Sequence, residues 1–241
     1  MAQGERLYEG KAKVVYSTDD PDVYVQDFKD DATAFDGKKK GTIGEKGRMN
    51  NAISARLFTL LEGEGVLTHF LETVSPTAMR IRRLEMFPVE FVVRNVAAGS
   101  LSKRIGYPEG TALRDPPIVE YYLKDDDLGD PLLCMAHLDE LQIISPEDLA
   151  QATAVAKRVN ELLLGFFARR GLTLVDYKLE FGRDVDGVVR LGDEISPDTC
   201  RLWDAKTGEK LDKDRFRRDL GGVEEAYAEV LRRIQAGDEF I

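Results

Sequence analysis

Apolar and polar residues alternate over much of the first third of the chain, which predicts β-strands. The alternation occurs in Leu7–Ser17 and resumes in Val23–Phe28, with the turn signal DDPD between them. Two further β-type stretches, Val66–Val74 and Thr77–Leu84, follow later, and Val89–Asn95 is strongly β-forming. The N-terminal part is therefore predicted to be rich in β-structure.

Helical spacing of apolar residues marks three other segments. A helix is expected from about Glu45 to Leu61, and the clearest one covers Pro146–Arg170, with Ser145 as N-cap. A last amphipathic helix is expected around Val223–Ile234. The polar stretch Asp30–Gly47, which holds four glycines, predicts a mobile loop.

Together these elements predict an α+β protein of two lobes. The lobe boundary is placed near Pro88, so that residues 1–85 form a β-rich N-terminal lobe and residues 86–241 a mixed α/β C-terminal lobe. A chain of 241 residues is long enough to bury a sizeable core in this arrangement.

Composition and charge narrow the classes of function. The net charge of −10 argues against a general nucleic-acid binder. No apolar run approaches the ~20 residues that a bilayer span needs, and the N-terminus lacks the apolar middle of a signal peptide. Two distant cysteines and two histidines provide neither a disulfide framework nor a zinc cluster. We therefore expect a cytoplasmic protein that binds neither nucleic acid nor membrane.

The segment LVDYKLEFG, Leu174–Gly182, predicts a strand with one unusual face. Its alternate residues Val175, Tyr177, Leu179 and Phe181 would be buried, whereas the other face would present charged groups beside the core. Those charged groups are Asp176, Lys178 and Glu180.

A type I′ turn at Asp186-Gly187 would close this strand into a hairpin and place Glu180 opposite Asp193. Two carboxylates facing each other destabilise a sheet unless a cation lies between them, and Mg²⁺ prefers one or two protein carboxylates with phosphate oxygens and water. Lys178 could then reach a phosphate. The alternative is a solvated outer face with a shifted register.

Basic residues at two other places suggest phosphate binding. Lys11 and Lys13 follow a glycine and would share one face of a strand, although an exposed strand edge protected by lysines is an equally good interpretation. Arg94 ends a strand before a turn of small residues, after which Ser100 could open a short helix with free N–H groups. The alternative for Arg94 and Ser100 is a surface arginine and a helix cap.

The sequence contains neither a Walker A motif nor GxGxxG, and nothing in it supports a Ser–His–Asp triad or a thiol nucleophile. The polar run ISPDTCRLWD directly after the acidic hairpin makes Asp198 and Arg201 further candidates.

These motifs together resemble the SAICAR synthetase (phosphoribosylaminoimidazole-succinocarboxamide synthase) family along essentially the whole chain. The resemblance rests on FPVEFVVR followed by AAGS, and on LVDYKLEFG, with supporting matches in YEGKAK, GDE, SPD and RLWD. It implies an ATP-grasp-like arrangement with the nucleotide in a cleft between two lobes. It also implies an ATP-dependent ligase that joins L-aspartate to an aminoimidazole carboxylate ribonucleotide in purine synthesis, through an acyl phosphate.

The resemblance also implies roles for individual residues. Glu180 and Asp193 would hold Mg²⁺, and Arg94, Ser100, Arg201 and Asp36 would bind the ribonucleotide, with Asp36 near its imidazole end. The catalytic residues would be Lys13, Asp36, Lys178 and Asp198. ATP would be bound by the hinge residues and by lysines, namely Arg82, Leu84, Met86, Lys11, Lys13, Lys124 and Lys178. A homodimer is expected by family analogy. Two other classes stay open: a different ATP-dependent small-molecule kinase and a non-catalytic nucleotide-binding module.

Overall fold

The protein is described here by a computed structural model that covers residues 4–34 and 39–236. It contains two large antiparallel sheets, a two-stranded ribbon and six helices. In chain order the elements are β1 Arg6–Glu9, β2 Lys13–Ser17, β3 Val23–Phe28, β4 Asp31–Ala34, β5 Lys39–Thr42, α1 Lys46–Gly63, β6 Phe70–Thr73, β7 Ala78–Arg82, β8 Glu85–Arg94, α2 Gly99–Ile105, β9 Ile118–Leu123, β10 Leu132–Leu133, α3 Met135–Leu141, α4 Pro146–Ala168, β11 Leu172–Arg183, β12 Val189–Gly192, β13 Cys200–Asp204, α5 Asp214–Arg217 and α6 Val223–Gln235.

The first sheet is built from the N-terminal strands in the order β1-β2-β3-β7-β6. The second has the order β10-β9-β8-β11-β12, and β13 also pairs with β11. The prediction of an α+β protein with a β-rich N-terminal part is thus confirmed.

Helices pack on both sheets and join them. α4 packs across β8, β11 and β12, while α1 packs on β3, β6 and β7 and also against the C-terminal α6. One continuous apolar core results, and it includes Met79 and Ile81 of the first sheet together with Phe91 and Phe181 of the second. None of the helices in the described parts of the chain combines the length and the apolar character that a bilayer span requires.

The predicted helix boundaries hold to within about two residues. α4 begins at Pro146, and the hydroxyl of Ser145 accepts a hydrogen bond of 3.1 Å from the backbone N–H of Asp148. The first helix begins at Lys46 and the last ends at Gln235.

The Asp30–Gly47 segment is not the loop that was expected. Where the structure describes it, β4 and β5 form an antiparallel ribbon in which Ala32 and Ala34 are buried. Contacts with the C-terminal part anchor this ribbon, because Lys39 Nζ donates to the carbonyl of Phe216 at 2.6 Å. Distant tertiary contacts of this kind leave no trace in local composition.

β8 runs through Pro88 rather than starting after it. Its ladder with β11 pairs Glu180 with Glu90 but Gly182 with Met86, so β8 contains a bulge around Pro88. Proline has no N–H to donate to a ladder, which explains why the irregularity occurs there. β11 is paired along both edges, with β8 on one edge and with β12 and β13 on the other.

The hairpin register differs from the predicted one. Arg183 pairs with Val189 and Glu180 with Gly192, so Asp193 lies one residue beyond the ladder. The loop is also longer than a type I′ turn, because the Asp184 carboxylate accepts hydrogen bonds from the backbone N–H groups of Asp186 and Val188. Only Gly187 of the loop has a positive φ, whereas a type I′ turn needs two.

The close approach of β8 to β11 yields a stability prediction. A Cβ added at Gly182 would lie 2.5 Å from the carbonyl oxygen of Glu85, which is backbone and cannot move aside cheaply. We expect Gly182→Ala to lower the free energy of unfolding by about 1–3 kcal/mol, measured by urea denaturation. The matched control is Gly165→Ala in α4, where a Cβ meets only the tip of Arg169 at 3.4 Å and should be neutral or stabilising. Equal unfolding midpoints for the two variants would contradict the prediction.

Candidate functional site

A polar cleft of about 1070 Å³ opens between the two sheets. It is bordered by the turn between β1 and β2, the β4–β5 ribbon, the centre of β8 and β11, and the segment after β12. Of the candidate residues, the cleft lining includes Lys11, Lys13, Arg94, Lys124, Lys178, Glu180, Asp193, Asp198 and Arg201. Residues from distant parts of the sequence therefore converge on one space.

The two carboxylates of the hairpin meet in this cleft despite the shifted register. Asp193 has the left-handed backbone conformation, with φ 61°, which lets it leave the ladder. The Lys178 ammonium then contacts both acids: it donates to Glu180 Oε1, and it lies 3.3 Å from Asp193 Oδ2. A single cation already bridges the pair.

Lysines from both sheets complete the charge balance. Lys13, at the start of β2, is ion-paired with Asp193 and lies 3.1 Å from Glu194. Lys124, just beyond β9, donates to Glu180. Lys11 lies in the turn before β2, not on the strand as expected, and is 2.5 Å from Asp126.

The titration behaviour of these groups follows from burial and pairing. Burial by itself lowers the pKa of Lys13 and of Lys178, but the neighbouring acids, with Asp193 foremost, outweigh it and raise both pKa values. Burial likewise opposes ionisation of Asp193, yet Lys13 and Lys178 hold the pKa of its carboxyl well below its usual range. Lys13, Lys178 and Asp193 are therefore charged at neutral pH.

The donor set suits a hard divalent cation that is shared with a phosphorylated ligand. Glu180 and Asp193 provide carboxylate oxygens on one side of the cleft, and Mg²⁺ is commonly held by one or two carboxylates with phosphate oxygens and water. Within the described residues no group of three or more His, Cys, Asp or Glu side chains forms a self-sufficient metal site. Such a metal would need oxygens from a ligand.

The first sheet fixes the backbone of Asp193. Gln26, buried in the central strand β3, donates from Nε2 to the carbonyl of Asp193 at 3.2 Å. His69 is also buried, and its backbone N–H donates to the carbonyl of Leu191 at 2.8 Å. The carboxylate pair is thus positioned by both sheets.

An arginine-rich cluster forms the other end of the cleft. Arg94, at the end of β8, donates to Asp176 and to Glu120 at 2.8 and 2.7 Å. Arg201, on β13, donates to the same Asp176 at 2.9 Å and to Asp214. Two guanidinium groups held side by side suit a phosphate.

α2 begins beside these arginines. Its first residue is Gly99, with φ 54°, and an added Cβ there would lie 2.7 Å from Arg201. Ser100 lies in the first turn of α2 rather than at its cap, and Arg94 donates to its hydroxyl at 3.4 Å. Among the described residues Ser100 does not line the cleft, and its recorded link to the site is this contact with Arg94.

Asp198 is held from two directions. Lys46, at the start of α1, donates to its Oδ2 at 2.8 Å, and Tyr227 of α6 donates to its Oδ1 at 2.7 Å. Burial opposes ionisation of Asp198, but Lys213 and Lys46 keep the pKa of its carboxyl below the usual range. Both oxygens of this carboxylate are engaged.

The remaining candidates are not in the described lining of the cleft. Arg82 ends β7, Leu84 directly precedes β8, and Met86 is the second residue of β8. A Cβ added at Gly192 would lie 3.2 Å from the side chains of both Leu84 and Met86. Asp36 lies outside the described residues.

Several functional neighbours were not identified from the sequence. Lys46, Tyr227 and Gln26 lie on ordinary helix and strand faces, so only their tertiary contacts reveal them. Glu90 is different, because it lies on the same face of β8 as Arg94, four residues earlier. Its Oε1 accepts a hydrogen bond of 3.1 Å from Lys178 Nζ. The alternation of β8 could have placed it beside the charged face of β11.

The buried pair Lys46–Asp198 yields a prediction of stability. Removing one partner leaves the other charge buried, which costs about 3–5 kcal/mol. We expect Lys46→Met to lower the free energy of unfolding by about 3 kcal/mol, the low end, since Lys213 lies 3.9 Å from Asp198. Tyr227→Phe removes only one hydrogen bond and should cost about 1–2 kcal/mol. Chemical denaturation measures both, and a Lys46→Met variant as stable as the wild type would refute the pairing.

Comparisons with known proteins agree with this geometry. The family model described as SAICAR synthetase matches residues 6–234. The phosphoribosylaminoimidazole-succinocarboxamide synthase of Pelodictyon phaeoclathratiforme is 59% identical over 234 residues, which covers 97% of this chain and 98% of that protein.

Solved structures agree as well. The crystal structure of the synthase of the same name from Ehrlichia chaffeensis superimposes with a TM-score of 0.93 at 42% identity, covering 97% of this chain and 99% of that one. A SAICAR synthetase in complex with ADP superimposes with a TM-score of 0.91 at 49% identity, covering 95% and 97%.

Proposed function

The chain belongs to the SAICAR synthetase family, and from that premise we propose how its cleft carries out the reaction. The protein is an ATP-dependent ligase of purine biosynthesis. It joins L-aspartate to the carboxylate of 5-amino-1-(5-phosphoribosyl)imidazole-4-carboxylate and releases ADP and phosphate. The observation that carries the site assignment is the convergence of Glu180 and Asp193 on Lys178.

The nucleotide phosphates lie at the lysine end of the cleft. Lys11, Lys13, Lys124 and Lys178 contact them, since these ammonium groups come from both sheets and surround the carboxylate pair. The adenine lies along the strand connection of Arg82, Leu84 and Met86. Residues 1–85 then form the lobe that covers the nucleotide, and residues 86–241 hold the other ligands.

Glu180 and Asp193 are the residues that would hold Mg²⁺ beside the nucleotide phosphates. A magnesium ion bound there supplies charge neutralisation for the phosphoryl group in transfer. Lys178 and Lys13 pair with these acids and line the same cleft, so their ammonium groups are also available to phosphate oxygens. Such donors, fixed in advance on a sheet, stabilise developing charge without reorganisation.

The ribonucleotide phosphate lies at the arginine end, on Arg94 and Arg201, with Ser100 supporting Arg94. Its imidazole carboxylate then reaches along β11 from Asp176 towards Glu180. This places the carboxylate beside the terminal phosphate of ATP. The assignment of Asp36 to the imidazole end of this substrate rests on the family resemblance alone, because this residue lies outside the described part of the chain.

The reaction proceeds through an acyl phosphate. A carboxylate oxygen attacks the terminal phosphorus, and the bond to the ADP oxygen breaks. The aspartate amine then attacks the acyl carbon and phosphate leaves, with loss of a proton from the amine. The protein positions the reactants, which can supply about 7–11 kcal/mol of barrier reduction. Lys13, Lys178 and Asp198 support this placement. By analogy with the family, we further propose that the enzyme is cytoplasmic and homodimeric.

The carboxylate pair provides the first functional test. We expect Glu180→Gln and Asp193→Asn to lower kcat at least about 100-fold, because the phosphoryl group loses its metal and its charge balance. The assay measures ADP release with and without L-aspartate and the ribonucleotide, which also separates a ligase from a kinase or a non-catalytic module. A matched control, Asp139→Asn on the surface of α3, should keep wild-type activity.

The same variants should lose the Mg²⁺-dependent part of ADP binding in calorimetry, with unchanged circular dichroism. Near-normal turnover and metal dependence in both variants would rule out the assignment of Glu180 and Asp193. Removal of Mg²⁺ by EDTA should abolish wild-type turnover reversibly.

The arginine end provides the second functional test. Arg94→Lys keeps a positive charge beside Asp176 and Glu120 but loses the planar fork. We expect the KM for the ribonucleotide to rise about tenfold or more, with little change in the KM for ATP. The control is Arg158→Lys on the exposed side of α4. A variant whose KM rises for ATP alone would place Arg94 at the nucleotide instead.

A further inference from the structure

Lys213 is a largely buried cation in the cleft, and its neighbouring acids neutralise its charge only in part. Its side chain is 13% exposed, and its nearest acid is Asp198, whose Oδ1 lies 3.9 Å from Nζ. Both oxygens of Asp198 are already engaged by Lys46 and Tyr227. Among the described residues no carboxylate lies within hydrogen-bond distance of the Lys213 ammonium.

The charged groups around Lys213 act on its ammonium in opposite directions. Burial lowers the pKa of Lys213, and Asp198 opposes this only in part because Arg217 and Lys46 add repulsion. Lys46 and Lys213 both lie beside the carboxylate of Asp198, and Glu194 adds a weaker attraction to Lys213. A buried cation usually has a partner, and an anionic ligand would provide one.

The place of Lys213 distinguishes it from the two ends of the cleft. Its backbone N–H donates to the carbonyl of Pro197 at 3.1 Å, so it is fixed to the segment that carries Asp198. The next residue of that segment, Thr199, accepts at its carbonyl a hydrogen bond of 2.9 Å from the N–H of Lys178. Lys213 therefore flanks the middle of the cleft, between the carboxylate pair and the arginine cluster.

We propose that Lys213 binds a carboxylate of the L-aspartate substrate, an inference that rests on the proposed ligase function. The reaction brings three anions together. The triphosphate is matched to the lysines and carboxylates of one end, and the ribonucleotide phosphate to the arginines of the other. The amino dicarboxylate must approach the reacting carboxylate from the side, where Lys213 is the buried cation without a close acid.

The ion pair Lys46–Asp198 keeps this cation available. Lys46 and Tyr227 hold the Asp198 carboxylate, and its nearer oxygen lies 3.9 Å from the Lys213 ammonium, which keeps N–H donors for a further anion. The β4–β5 ribbon, which lines the cleft at Thr33 and Gly41, stands across the same space.

The test compares Lys213→Met, Lys213→Arg and the control Lys206→Met, whose lysine lies exposed in the turn after β13. With ATP and the ribonucleotide saturating, Lys213→Met should raise the KM for L-aspartate about 10- to 100-fold, as expected when a charged hydrogen bond is lost. The KM values for ATP and the ribonucleotide should stay within about twofold. Lys213→Arg should show a smaller rise, and Lys206→Met none.

A second measurement uses succinate, a dicarboxylate without the amine, as a competitive inhibitor. Its inhibition constant should rise in parallel with the KM for L-aspartate in Lys213→Met. Circular dichroism and thermal unfolding check that the variants are folded. If Lys213→Met does not fold, Lys213→Gln takes its place.

The outcomes separate the two proposals. A wild-type protein that releases ADP without consuming aspartate overturns the ligase function, and the role of Lys213 with it. A working ligase whose Lys213 variants keep the wild-type KM for L-aspartate and inhibition by succinate overturns the role of Lys213 alone. A rise confined to the KM for the ribonucleotide assigns Lys213 to the phosphate instead and also overturns it.

Discussion

The arrangement of the cleft depends on one electrostatic constraint: Glu180 and Asp193 can share a space only while cations separate them. Lys178 contacts both acids from the same strand, and Lys13 reaches Asp193 from the other sheet. Because these groups are largely removed from water, their charges interact strongly and cannot simply be left unpaired. The ion pair of Lys13 with Asp193 therefore links the two sheets through groups that a metal-bound nucleotide would engage.

The same rule explains the rest of the cleft. Asp176 balances Arg94 and Arg201 at one end, and Asp198 balances Lys46 on the side. Each acid comes from the second sheet or the segment that follows it, whereas several of the cations come from other elements. Substrate anions would then share these cations with the internal acids, so that no buried acid loses its partner. Lys213 differs from these cations, because among the described residues no acid lies within hydrogen-bond distance of its ammonium.

The rigid support behind the charges is apolar. Tyr177, Leu179 and Phe181 fill the opposite face of β11 and pack under α4, so the charged face cannot rotate away. A strand with side chains of alternating character fixes which residues face the cleft, since successive residues point to opposite sides. The function therefore relies on an ordinary buried face for its precision.

The sequence by itself predicted most of the N-terminal strands, the long helices α1, α4 and α6, the charged face of β11 and nine of the residues that line the cleft, because periodicity and motifs are local properties. It could not determine the hairpin register, since Asp184 closes a longer loop through its own side chain. Nor could it show the β4–β5 ribbon, or the pairing of Lys46 and Tyr227 with Asp198. Those contacts join residues 29 to 152 positions apart, and only the packing of the whole chain brings them within hydrogen-bond distance.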